Sequence, residues 1–339
     1  MNRRSFLATL ASLPWAGALT AATAAPGPKA HVFGRLPAPE RVRRVFAAGG
    51  PAAVLAHVLA PAKLFGWPMQ MSDEARAWIV PEARDLPFLG RLAGRGSTMP
   101  LEKLLALGPD LILDTGTVDE TRLSTARSVH ERTGLPVVLI PGRLLDSSWQ
   151  LSEAGRLLGV PARGERLSAD AASRLATARD RRAGGKSPRI YLARSADGLE
   201  TALPGSVNAE SLDAAGGVNV ASGPGGGLAR VSLEQLFAWA PDVVLTQDAS
   251  FHARALEDAT WRRLPALRTG RFHLAPSLPF GWLDGPPGVN RLVGLPWLVA
   301  RLHGATAGDD VVADAQAFHR LYYGFAPERA AFERLLEHV

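Results

Sequence analysis

The chain has 339 residues, 47% of them hydrophobic and 21% charged, a balance that excludes a disordered polymer and a single small core, and points to two domains or one large one. Its formal net charge of +6 rests on 34 arginines and only 4 lysines; basic runs such as RDRR at 179–182 are short, so the excess reads as solvated surface and no nucleic-acid partner is expected. The absence of cysteine excludes disulfides, thiol catalysis, thiolate metal sites and a lipid-modified cysteine.

Residues 1–24, MNRRSFLATLASLPWAGALTAATA, read as an export signal. Arg3 and Arg4 precede an apolar stretch from Phe6, and the small residues Ala22 and Ala24 suit cleavage nearby. The NRRSFL string resembles a twin-arginine signal; an ordinary secretory signal is the alternative. The apolar stretch is too short and too interrupted for a stable span, and no second one approaches about 18 residues. The mature chain is therefore expected to begin near Ala25 and to lie free in the periplasm, without a lipid anchor.

VRRVFAA (42–48) reads as a strand ending at Gly49-Gly50-Pro51, and AAVLAHVLAPAKL follows with helical spacing, Pro51 suiting its first turn. KLFGWP (63–68) reads as a short second strand. LILD (111–114) is a strand, ETRLSTARSVHERTG a helix closed by Gly134, and PVVLIPG (136–142) another strand. From Ser147 the pattern turns helical. SSWQLSEAGRLLG stops at Gly159-Val160-Pro161, and a longer helix to Gly184-Gly185 aligns Leu167, Ala171, Ala172, Leu175 and Ala178 on one face.

Alternation then restarts. RIYLAR (189–194) is a strand, NAESLDAAGGVNVA (208–221) a short helix with a glycine stop, and GPGGG (223–227) a loop. GRFHLAPS (270–277) is a strand and GVNRLVGLPWLVARLHG (288–304) a helix. A helical tail from Asp309 breaks at Gly324-Phe325-Ala326-Pro327.

One unit occurs twice. LEKLLALGPDLILDTG from Leu101 and LEQLFAWAPDVVLTQD from Leu233 share seven of sixteen positions, 132 residues apart. Each reads as helix, Pro-Asp, strand, with Glu102 or Glu234 in the first helical turn. Ser232 suits an N-cap, and Thr98 with Pro100 prepares the other start. The expected fold is α/β: two similar lobes with parallel sheets flanked by helices, joined by a single long bridging helix. The boundaries are 25–160 for the first lobe, 161–185 for the bridge and 186–339 for the second lobe.

Two such lobes leave a ligand cleft between them, facing the carboxyl ends of the strands. Residues readable at those ends are Gly50, Trp67, Thr117, Arg143, Arg194 and Asp248, with Phe280 and Trp282 in LPFGWLDGPPG (278–288). Backbone N–H groups, arginines and aromatic faces suit an anionic or chelated small molecule. Each has a plainer reading too: the arginines as surface charges, the tryptophans as loop plugs, Asp248 as a helix cap. If Arg143 and Arg194 face each other, the ligand should carry negative charge.

Enzyme motifs are not met. GGKS (184–187) lacks the earlier glycine of a phosphate loop, since Asp180 stands there, and GPGGGL fails the dinucleotide pattern at Leu228. There is no G-x-S-x-G or H-E-x-x-H, and the eight histidines are scattered. The motifs therefore single out no catalytic residue, metal ligand set or cofactor, and leave as alternatives a His-lined metal site assembled across the cleft and a hydrolase with a dispersed Ser/His/Asp set.

The export signal, the paired L-E-x-L-x-x-x-x-P-D-x-x-L units, the single bridging helix and GRFHLAPSLPFGW together resemble an ABC-transporter substrate-binding protein. The branch is the helical-backbone one, with receptors for iron–siderophore, cobalamin, haem and some metal or oxyanion ligands. The resemblance covers essentially the whole mature chain, and LPFGWLDGPPGVNRLVGLPWL resembles the iron-complex and metal-complex subgroup. It implies a monomeric periplasmic receptor, without catalysis, that delivers a metal chelate to an inner-membrane ABC importer permease. A ferric siderophore comes first as ligand. Haem, cobalamin, molybdate or a nickel or cobalt complex are the alternatives, and an exported hydrolase is the alternative from another class. The resemblance also implies that Glu102 and Glu234, one on each lobe, dock onto the permease pair. The signal without a cysteine departs from the many relatives that are lipoproteins.

Overall fold

The structure, a computed structural model, describes residues 27–93, 96–181, 187–223, 225–304 and 310–337. The expected export segment and the end of the expected bridge at 182–185 lie outside the described residues.

The first lobe is a sheet of β1 (His31–Phe33), β2 (Val45–Ala47), β3 (Leu111–Gly116) and β4 (Val137–Pro141), in the order β1-β4-β3-β2. Three strands are parallel, and β1, which the sequence reading missed, lies antiparallel on the edge of β4. All six residues of β3 are buried, as a central strand covered on both faces requires. The covering helices are α1 (Gly50–Leu59), the short turns α2 (Asp73–Arg76) and α3 (Pro81–Arg84), then α4 (Leu101–Leu107), α5 (Glu120–Thr133) and α6 (Ser147–Leu157). Helix α1 takes Pro51 in its first turn, and Ala52 through Leu59 are all buried. KLFGWP is not a strand. Pro61–Lys63 form a 3-10 turn, and only single bridges follow, Leu64 to Val45 and Trp67 to Phe88.

Helix α7 (Pro161–Arg181) leads from this lobe to the next. It lies tightly on α6 because both helices present glycine at the crossing: a Cβ on Gly164 would stand 2.8 Å from the Leu151 carbonyl oxygen. The buried stripe of α7 is Gly164, Leu167, Ser168, Ala171 and Ala178. Ala172 is exposed and Leu175 half-buried, so these two do not share the stripe as expected.

The second lobe holds β5 (Arg189–Ala193), β6 (Glu200–Ala202), β7 (Val218–Asn219), β8 (Leu228–Arg230), β9 (Val243–Thr246) and β10 (Phe272–Leu274). Strands β10-β9-β5-β7 make a parallel sheet, while β6 and β8 pair as an antiparallel ribbon beside the glycine-rich loop. Its helices are α8 (Glu210–Ala214), α9 (Leu233–Trp239), α10 (Ala249–Glu257), α11 (Pro265–Arg268) and α12 (Arg291–His303).

The repeated unit has one physical logic in both lobes. In the first, Asp110 Oδ2 accepts from the backbone N–H groups of Arg43 and Arg44 at 2.7 and 2.8 Å, and Arg44 Nη2 donates to the carbonyl of Leu107 at 2.8 Å. In the second, Asp242 Oδ2 accepts from Arg189 N–H at 2.8 Å, and Arg189 Nη2 donates to Trp239 O at 2.7 Å. Each Pro-Asp therefore ties the start of one strand to the end of the helix before its neighbour. The left-handed residue that ends the helix is Gly108 in one copy and Ala240, at φ 44°, in the other. Ser232 caps α9, accepting from Gln235 N–H at 3.2 Å. In α4 the cap position is Pro100 itself, and Thr98 Oγ1 instead accepts from Arg91 N–H.

The tail comprises α13 (Val311–Phe318), a π-helical turn at His319–Tyr323 and α14 (Arg329–Glu337). Leaving α12, it packs back on the first lobe. Phe332 meets Trp78 edge-on at 4.8 Å, and Tyr323 stacks on His57 of α1 at 6.0 Å. The chain thus spans the two lobes twice, once through α7 and once through the tail.

Candidate functional site

A cleft of about 780 Å³ opens between the lobes at the carboxyl ends of both sheets. The first lobe contributes Gly49-Gly50-Pro51 at the start of α1, the coil Pro68–Ser72, Arg91, Thr115–Thr117 and Arg122. From the second come Arg194, Asn208, Leu228, the segment Ser277–Phe280 and Asp284–Pro287. At one rim the lobes nearly touch, since a Cβ on Gly50 would stand 3.0 Å from Pro286 Cβ.

Each wall follows from local structure. Helix α1 starts where β2 ends, and Gly49, Gly50 and Pro51 at its start line the cleft, so the positive end of the helix dipole faces it. Arg122, in the first turns of α5, reaches back to the end of β3. It holds Asp114 with Nε to Oδ2 at 2.9 Å and Nη2 to Oδ1 at 2.6 Å, and donates to Thr115 O at 3.0 Å. Arg194 follows β5 and is gripped by Glu200, Nε to Oε1 at 3.4 Å, and by Asp284. The Asp284 side chain is fully buried, and its other oxygen accepts from Asn208 Nδ2. Arg91 Nε donates to Gly96 O at 3.0 Å. The remaining wall is apolar or weakly polar, with Met69, Met71, Leu278, Phe280 and Pro286 beside Gln70 and Ser277.

Four of the residues picked from the sequence line this cleft: Gly50, Thr117, Arg194 and Phe280. Four do not. Trp67 is 1% exposed, its Nε1 donating to Ala83 O at 2.9 Å, and it backs Phe280 at 5.9 Å. Trp282 is also buried, its Nε1 on Leu278 O at 3.1 Å, so both indoles plug loops behind the wall. Asp248 caps α10, accepting from Phe251 N–H at 2.8 Å. The hydrogen bonds to this cap hold its carboxyl below the usual carboxylate range against the opposing effect of burial, the largest single influence. Arg143 lines a different hollow of about 660 Å³ beside α7, with its Nε 3.6 Å from Glu210. Arg143 and Arg194 therefore do not face each other, and the ligand charge inferred from that juxtaposition loses its basis.

The sequence reading missed Met69, Met71, Arg91, Arg122, Asn208 and Asp284. The one available signal was Met-Gln-Met beside Pro68, two flexible thioethers in a coil at strand-end level. Asp284 sits in the quoted LPFGWLDGPPG segment but gives no periodic sign of its burial. Glu102 and Glu234 are both exposed in the first turns of α4 and α9. Glu234's own backbone N–H and the Ser232 hydroxyl hold its carboxyl below the usual carboxylate range.

No histidine or tyrosine stands among the described residues lining the cleft, and no three His, Cys, Asp or Glu among the described residues are placed to hold a metal ion. No helix among them is long and apolar enough to cross a membrane.

A family model described as periplasmic binding protein matches residues 62–278. No curated protein matches the chain. Among solved structures, an ABC transporter solute binding protein from Sulfurospirillum deleyianum is similar at a TM-score of 0.80 and 23% identity, covering 89% of this chain and 95% of that one. The molybdate-bound periplasmic binding protein MolA of Haemophilus influenzae gives 0.66 and 21%, covering 87% and 96%. The vitamin B12 binding protein BtuF of Vibrio cholerae gives 0.60 and 21%, covering 77% and 96%.

Proposed function

This chain belongs to the periplasmic binding protein family, and on that premise we propose that it is an exported receptor that captures a metal chelate and hands it to an inner-membrane ABC importer. The observation that carries the proposal is the cleft itself: about 780 Å³ between two lobes, at the strand ends of both sheets, walled by side chains of either lobe. That size suits a ligand far larger than a bare ion and falls within the range of organic ligand sites, roughly 300–1,000 Å³. Its mixture of apolar walls with a few fixed polar groups suits a ligand read by shape as well as by hydrogen bonds.

The metal is taken to arrive inside its own chelator, because the cleft supplies no His, Tyr or Cys donor among the described residues. A ferric siderophore fits this best. Haem held by an axial His or Tyr of the cleft does not. The relatives that bind molybdate and vitamin B12 support the class of receptor, and their ligands stay in the test as competitors.

The test is mass spectrometry and metal analysis of what co-purifies with the protein from its native periplasm, followed by thermal shifts with a panel of ferric siderophores, haem, cobalamin and molybdate. A receptor gains stability with bound ligand and yields no product. Turnover of a hydrolase substrate without any ligand-induced stabilisation would overturn the reading.

A further inference from the structure

We infer that the ligand of this cleft carries little net charge, and that Asp284 is the residue that sets the preference. The inference rests on reading the cleft as the ligand site and names the class of ligand it takes.

Two arginines facing the cleft are matched by carboxylates of their own lobe. Arg122 is held bidentately by Asp114, whose side chain is 7% exposed. Arg194 lies between Glu200 and Asp284. With Arg91 and Glu74 on the same lining, three guanidinium groups and the partial positive charge at the start of α1 stand against four carboxylates, Glu74, Asp114, Glu200 and Asp284, which leaves the wall close to neutral. A polyanion entering here would find Arg122 and Arg194 already engaged, each with a carboxylate of its own lobe behind it.

The pairs cannot readily yield to a ligand. Asp284 is buried, with one oxygen on Arg194 and the other on Asn208. If Arg194 turned away to a ligand anion, it would leave that carboxylate buried without its cation, a strongly unfavourable state. Asp284 therefore holds Arg194 as a neutral, donor-rich wall rather than a free positive charge. The side chains around it read shape and polarity: Met69, Met71 and Phe280 for apolar surface, Gln70, Asn208 and Ser277 for hydrogen bonds. A chelate whose anionic donor groups cancel the charge of its metal, such as three hydroxamates around ferric iron, meets this wall without penalty. A ferric tris-catecholate, carrying three negative charges, or the molybdate dianion does not.

The experiment is titration calorimetry of the mature chain with two uncharged probes, a ferric tris-hydroxamate and cyanocobalamin, and two anionic ones, a ferric tris-catecholate and molybdate. The expected result is tighter binding of an uncharged probe than of either anion, by about tenfold or more, the scale of one partly exposed charge interaction, with little dependence on added salt. Asp284→Asn, which keeps the shape and removes the charge, is expected to narrow that ratio by about tenfold. Glu200→Gln, at the half-buried partner of Arg194, should act in the same direction and serves if the first variant does not fold. Thr117→Trp, which fills the cleft, should abolish binding. Tighter binding of an anion, lost in Thr117→Trp, would overturn the charge inference and leave the receptor reading standing. An unchanged ratio in both Asp284→Asn and Glu200→Gln would overturn the role of Asp284. Binding of no probe, or binding indifferent to Thr117→Trp, would overturn the cleft reading and the inference with it.

Discussion

Arg291 Nη1 lies 3.1 Å from Glu210 Oε2, and this pair joins the two lobes just behind the cleft floor. Both residues belong to second-lobe helices, α12 and α8. Arg291 Nη2 nevertheless donates to Gly142 O at 2.9 Å, and Glu210 Oε2 accepts from Leu144 N–H at 2.6 Å, so together they grip the end of β4 in the first lobe. Arg291 Nη1 also donates to the carbonyl of Val207, a residue of the cleft lining. Arg143, chosen from the sequence as a ligand contact, is the outermost member of this joint.

The joint should be costly to break. Arg291 is 1% exposed and the Glu210 side chain 15%, so removing one partner leaves a charge buried without its counterion. Arg291→Ala is expected to lower stability by about 3–5 kcal/mol, and Glu210→Gln by less because its amide can still hydrogen-bond. Urea unfolding measures both. A loss under about 1 kcal/mol for Arg291→Ala, the level of an exposed pair, would mean that the joint is not a structural tie.

Lobe motion should be small. Bending α7 would break helical hydrogen bonds, and the tail adds a second tie. From α7, Arg163 Nε donates to Val58 O at 2.6 Å and its Nη2 to Tyr322 O at 3.0 Å, while Tyr322 Oη donates to Leu167 O at 3.1 Å. The expected outcome in solution scattering is nearly the same radius of gyration with and without ligand. A large compaction on ligand addition would show that both ties yield.

Stability should fall in acid through two buried imidazoles. Burial, aided by the nearby Arg163 charge, lowers His57 to about 4, and burial lowers His319 to about 3. Their ring nitrogens have no hydrogen-bond partner. Both rings are neutral when folded, whereas the unfolded chain takes up their protons near 6.5. Their contribution is therefore complete above about pH 6.5 and is lost as the pH falls toward those folded values, by up to about 1.4 kcal/mol per pH unit for each ring. Urea midpoints as a function of pH should show this slope, and His57→Phe should reduce it. A flat profile between neutrality and about pH 4.5 would refute the account.

Much of the fold was legible because its signals are local. The two Pro-Asp units, the glycine stop after α5 and the long amphipathic α7 each state their own structure in sequence. KLFGWP misled because an apolar run after a proline looks like a strand. Its backbone instead bonds within a loop, Trp67 N–H donating to Pro87 O at 2.8 Å. The site was half legible for a related reason. Position at a strand end can be read, but the direction in which the chain then turns cannot. After β5 the chain keeps Arg194 at the cleft, whereas after β4 it runs into the α6–α7 pair and carries Arg143 behind it. Trp67 and Trp282 sit in loops without periodicity, so nothing in their spacing separates a cleft face from a buried plug.

The glutamates of the repeated unit should act as a pair. Glu102 and Glu234 are exposed at matching places on the two lobes, each in the first turn of a short helix. A carboxylate there complements the helix dipole, an effect of a few tenths of a kcal/mol, and that alone would explain one copy. It does not explain why the same side chain recurs at the matching place on both lobes. Docking onto cationic residues of a paired membrane subunit would use both. Exposed ion pairs are individually weak, so the two should act on orientation and rate of encounter more than on stability. With the cognate importer in vesicles, Glu102→Arg combined with Glu234→Arg should abolish transport, each single reversal should reduce it, and ligand affinity and unfolding midpoint should stay as in the parent. Transport unaffected by the double reversal would reduce both glutamates to helix starts.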